Sequence, residues 1–107
     1  MNFAVLDFET TGNQPNDEII QVGIVRIEDG QIVKSFHSFV KPSVPIPPFI
    51  SRLTGITEEQ VQNAPMLDEI ISDILPMLDN CALVGHHVAF DYGFLGRALD
   101  QCGYGPF

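Results

Sequence analysis

Two carboxylates separated by a single residue, Asp7 and Glu9, are the first groups in this chain that could do chemistry. They end an apolar run, Phe3-Ala4-Val5-Leu6, and Thr10-Thr11-Gly12 follows at once. If the run is a strand, alternation puts Phe3, Val5, Asp7 and Glu9 on one face and Ala4, Leu6 and Phe8 on the other. Asp7 and Glu9 then stand roughly 7 Å apart, at about 3.3 Å of rise per residue. A carboxylate partly desolvated on such a face is costly unless a cation or a donor meets it. No Lys or Arg precedes Arg26. A divalent ion is the simplest local neutraliser, and all-oxygen ligands favour Mg²⁺ or Mn²⁺. Taken alone, the pair also fits a solvated strand end or a helix cap. The hydroxyls and N–H groups of the Thr-Thr-Gly turn add a place where a ligand could be held.

A third acid stands out at Asp91. It opens a helical pattern just after the short apolar stretch Ala82-Leu83-Val84-Gly85. An Asp in a first helical turn also serves simply as a cap that suits the macrodipole. Here it is flanked by His86, His87, Phe90 and Phe94. If the first strand and the strand at 82–85 are neighbours, their C-terminal ends bring Asp91 beside Asp7 and Glu9. Ligands bind at that edge of open sheets.

The elements that must position these acids can be read in order. Glu18 to Glu28 is β-branched and strand-like, Asp29-Gly30 is a hairpin turn, and Gln31 to Val40 returns as the partner strand. His37 on that strand is given no catalytic role. Lys41 to Phe49 carries four prolines and reads as an internal extended connector. A short helical turn covers Phe49 to Leu53 and ends at Gly55. Thr57 caps a second short helix, with Gln60 completing a capping box, that ends near Asn63. A third helix runs from Met66 to Leu78, with Leu67, Ile70, Ile71, Ile74 and Leu78 as its buried stripe. Pro76 should bend or fray its last turn. Ala82 to Gly85 is a candidate buried strand. A last helix starts near Phe90 and ends at Cys102, with Phe90, Phe94, Leu95, Ala98, Leu99 and Cys102 inward and Gly103 as cap. The order is α/β.

Composition sets limits. The chain has 107 residues, 45% hydrophobic and 18% charged, enough for one domain with a modest core. No apolar run is long enough to cross a membrane, and the first residues lack a basic leader. Cys81 and Cys102 fit no metal or redox spacing and read as free thiols of a reducing cytoplasm. The net charge of −9 argues against wrapping duplex nucleic acid through its phosphates. It leaves room for an enzyme that grips one strand end through metal ions.

Asp7-Phe8-Glu9-Thr10-Thr11-Gly12 resembles the first motif of the DnaQ-like, or DEDD, 3′–5′ exonucleases. Gly85-His86-His87-Val88-Ala89-Phe90-Asp91-Tyr92-Gly93-Phe94-Leu95 resembles the second, and Leu53-Thr54-Gly55-Ile56-Thr57 resembles the segment that often follows the third strand. Within the family the chain is similar to bacterial exonuclease domains attached to replicative polymerases or to DinG-type helicases. The resemblance implies an RNase H-like fold: a three-stranded antiparallel meander extended by a parallel strand, with flanking helices. It implies that Asp7, Glu9 and Asp91 bind two Mg²⁺ or Mn²⁺ ions. Thr10 and Thr11 would contact the terminal nucleotide, partly through backbone N–H groups, and Thr54, His87 and Phe90 would line the path of the last bases.

The implied activity is removal of nucleotides from the 3′ end of single-stranded DNA in the cytoplasm, with a polymerase or helicase as partner, in cis or in trans. Two departures matter. His87 stands where the family usually has Asn. Nothing after Asp91 matches the third motif, a His-x-x-x-x-Asp in one branch. Residues 1–107 therefore read as the N-terminal, C-terminally truncated part of a single exonuclease domain. A non-catalytic nucleic-acid or protein binding module of the same fold, and an RNA-trimming enzyme, are the competing readings.

Overall fold

The computed structural model describes residues 1–12, 14, 16–85, 93 and 95–97. Strands β1 (Asn2–Thr10), β2 (Ile19–Glu28) and β3 (Gln31–Phe39) are followed by helices α1 (Pro48–Thr54), α2 (Glu58–Gln62) and α3 (Leu67–Leu78), then strand β4 (Ala82–Gly85). The sheet order is β3-β2-β1-β4. β1 and β2 are antiparallel, as are β2 and β3, while β4 lies parallel to β1. Among the described residues no helix is long and apolar enough to cross a membrane.

The β2–β3 hairpin turns where the Asp-Gly pair predicts. Asp29 and Gly30 both take positive φ, 51° and 82°, the turn whose twist matches the flanking strands. Alternation on β1 divides the sheet's faces. Ala4, Leu6 and Phe8 are buried with Val22 and Ile24 of β2 and with Ile70, Ile71, Ile74 and Met77 of α3. Leu95, expected to face inward, joins this core.

Three local expectations need correction. The inward stripe of α3 ends in Met77, which is fully buried, while Leu67 and Leu78 only pack at the margin. Pro76 does not fray the last turn, since α3 continues through Leu78. The guanidinium of Arg26 on β2 donates to the carbonyls of Pro76 (2.9 Å) and Asp79 (2.8 Å). It satisfies oxygens that a helix end leaves open. β4 is a strand, but Ala82 and Val84 are exposed and only Leu83 packs against the core.

A second cluster holds Ile20, Ile46, Ile56 and Val61, with Phe39 and Ile50 packed against it. It exists because β2 bulges. Glu9 pairs with Gln21 but Thr10 pairs with Ile19, so Ile20 is the extra residue. Val22 and Ile24 point into the first cluster, and strict alternation would send Ile20 there too. The bulge instead hands Ile19 to the first cluster and Ile20 to the second. α1 and α2 dock on that redirected side chain. Gly55 ends α1 in the left-handed conformation (φ 77°). The predicted Thr57–Gln60 capping box opens α2.

Candidate active site

The site grows from the C-terminal half of β1. Asp7 is exposed and Glu9 is half-buried, the reverse of the expectation that Asp7 is the desolvated acid. Burial and then the charge of Asp7 raise the proton affinity of Glu9 above the usual carboxylate range. Both influences push the same way.

Around the acids the sheet is cut away. Asp7 faces Gly23 on β2, which in turn faces His37 on β3. A Cβ on Gly23 would lie 3.2 Å from the Asp7 carbonyl oxygen and 3.8 Å from its Cβ. Glu9 faces Gln21, which faces Phe39. Directly opposed residues share a face, so the acids, Gln21, His37 and Phe39 look out from one side. Phe39 packs against the second cluster, the one on which α1 and α2 dock. Thr54, at the end of α1, is half-buried there; its hydroxyl donates to the Ile50 carbonyl and accepts from the Ile56 N–H.

The turn after β1 is tied internally. The Thr10 hydroxyl donates to the Gly12 carbonyl (2.6 Å). Thr11 is buried, with its N–H donated to the Glu18 carbonyl (2.8 Å) and its hydroxyl to Asp17 (2.9 Å). The same hydroxyl accepts from the Glu18 N–H (2.9 Å). Both donors of Thr11 are thus engaged within the loop. The Glu18 carboxylate continues the chain of contacts to Ser43 in the proline-rich connector. Beyond it, the Ile46 N–H donates to Glu58 of α2. The carboxylate loop and the α1–α2 unit are therefore one connected assembly.

β4 completes the edge. Its parallel register pairs Phe3 with Ala82 and Leu6 with Gly85, so the strand ends one residue short of Asp7. Asp91, His87 and Phe90 lie outside the described residues. Among the described residues no three metal-binding side chains gather. The pair Asp7 and Glu9 nevertheless offers the hard oxygen donors that suit Mg²⁺ or Mn²⁺. The residues the sequence reading passed over are Gln21 and Gly23. Their alternation with the buried Val22 and Ile24 was visible, but their position opposite the acids needs the register.

The exonuclease (RNase T) family model matches residues 4–107. The chain belongs to the exonuclease family. Its curated relatives include the 3′-5′ exonuclease DinG of Staphylococcus saprophyticus, 46% identical over 101 residues, which are 94% of this chain and 11% of that protein. The DNA polymerase III PolC-type of Thermotoga petrophila is 48% identical over 94 residues, 87% of this chain and 7% of that protein. The chain thus spans about a tenth of the length of these exonuclease-family relatives. Among solved structures, E. coli exonuclease I in complex with a dT13 oligonucleotide superposes with a TM-score of 0.86 at 20% identity, over 99% of this chain and 25% of that one. The nuclease domain of 3′hExo, a DEDDh family member, gives 0.78 at 24% identity, over 99% and 62%. The fold of this exonuclease-family chain is the mixed sheet of those structures.

Proposed function

We propose that this chain is the N-terminal part of a metal-dependent 3′–5′ exonuclease domain that removes nucleotides from the 3′ end of single-stranded DNA. The observation that carries the reading is the Asp7–Glu9 pair. Two acids share one face at the end of a central strand, and the half-buried one is held towards its protonated form. Asp7 and Glu9, with Asp91 as third ligand, would hold Mg²⁺ or Mn²⁺. Such ions, when bound, would supply a water of lowered pKa and positive charge towards the phosphate.

The family resemblance supports substrate-binding roles for Thr10, Thr54, His87 and Phe90, which would line the path of the last nucleotide. Thr11 acts by fixing the loop that carries Thr10. The similarity to DinG and PolC proteins supports work beside a helicase or polymerase, in cis or in trans, in the cytoplasm.

The test uses the full-length native polypeptide, a 5′-labelled single-stranded DNA, and Mn²⁺ or Mg²⁺. Products should shorten from the 3′ end and stop with a chelator. Asp7→Asn should lower the rate by about 10²–10³-fold, the scale of losing one preorganised charge-stabilising group. Wild-type activity in that variant would sink the assignment. Equal or faster trimming of an RNA oligonucleotide would replace DNA with RNA as substrate.

A further inference from the structure

Gln21 is the residue directly across the ladder from Glu9, in the last regular pair before the bulge. Opposed side chains in an antiparallel pair have Cβ atoms about 4.5–5.5 Å apart, so an amide there is within reach of the Glu9 carboxylate or of a water on it. The amide is not free to wander. Its Nε2 lies 2.7 Å from Nε2 of His37, the diagonal neighbour on β3. That contact ties the Gln21 amide to the His37 ring. His37 is fixed in turn. Its ring meets that of Phe39 edge-on, with centroids 5.5 Å apart and planes at 78°. Phe39 is anchored in the second cluster.

Phe39, His37 and Gln21 thus form a braced series that starts at the packed core and ends directly across the ladder from Glu9. His37 is exposed and Gln21 only half-buried, so neither supplies core. A neutral amide also adds no charge to a carboxylate already burdened by Asp7.

We propose that Gln21, braced by His37, is a positioning residue that orients Glu9 towards its metal ion. The inference rests on the metal-dependent reading of the Asp7–Glu9 pair. Groups that orient a ligand in this way typically change metal affinity by about 10–100-fold when removed.

The test measures Mn²⁺ affinity of the full-length polypeptide by electron paramagnetic resonance of free Mn²⁺, together with the melting temperature without metal. Gln21→Met keeps the length and removes the hydrogen bonds. His37→Phe keeps the ring contact and removes the ring nitrogen that meets Gln21. Gln21→Met should weaken Mn²⁺ binding about tenfold, and His37→Phe by less, in the same direction. The double variant should match Gln21→Met alone, because the two act in series. Metal-free melting should stay at the wild-type value in all three. Wild-type Mn²⁺ affinity in Gln21→Met, or independent additive losses, would overturn the inference, as would a drop in metal-free melting with affinity unchanged. Asp7→Asn separates the two levels: if it loses Mn²⁺ while Gln21→Met does not, only the positioning role fails. If Asp7→Asn also keeps Mn²⁺, the metal site and the positioning role fail together.

Discussion

Asp7 stands two residues before Glu9 on the same face of β1, and its charge adds to burial in raising the proton affinity of Glu9. A carboxyl whose folded-state affinity for protons exceeds its unfolded one weakens the fold as it ionises. Its penalty is absent below the ordinary Glu range and complete above the raised value. Glu9→Gln should therefore slightly raise the melting temperature of the metal-free protein at neutral pH, solvent screening keeping the gain small. That gain should shrink to nothing as pH falls into the ordinary Glu range. Thermal melts of both proteins across pH 3–8, the range spanning ordinary carboxyl titration, check this. A gain that persists at the acid end would show a cause other than ionisation.

Asp17, half-buried in the loop after β1, is expected to matter for stability. Its carboxylate accepts from the buried Thr11 hydroxyl and from the Gln14 N–H. Asp17→Ala should cost about 1–3 kcal/mol, the range for leaving a buried polar group unpaired. Gly12→Ala attacks the same contact from the other side, since its Cβ would fall 2.3 Å from Asp17 Oδ2. Urea denaturation of the two single variants and the double should show strong non-additivity.

Gly23→Val tests the open space opposite Asp7. The new side chain would press on the Asp7 backbone, with its Cβ 3.2 Å from the carbonyl oxygen. Overpacking of this kind costs about 1–3 kcal/mol. Because the same side chain crowds the acids, the nuclease rate should fall further than the loss of stability explains. Rate measurements at a temperature where the variant is still folded would separate the two.

What the sequence made legible was local chemistry. Asp29-Gly30, Thr57 with Gln60, and Gly55 each specify a turn or cap by their own side chains or by the lack of one, and each is found where expected. The parallel placement of β4 beside β1 also holds. What stayed hidden depends on distant partners or on register. Arg26 closes the end of a helix some fifty residues downstream, and no local pattern announces that. Met77 and Leu78 both border the apolar stripe of α3, and only the sheet beneath decides which turns in. The bulge at Ile20 shifts every assignment after it by one residue, so Gln21 could not be matched to Glu9 beforehand. The Asp7–Glu9 face was legible; which of its acids is the buried one was not. Asp91, His87 and Phe90 lie outside the described residues.

The pairing of β1 with β4 has a consequence for how the chain acquires its shape. The β2–β3 hairpin closes over two residues, whereas Phe3 must find Ala82. The entropy lost on closing a loop rises with its length, and distant pairings are slow. We expect the meander to form first and the fourth strand to seal its open side last. The edge that frames the acids is thus built after the strand that carries them.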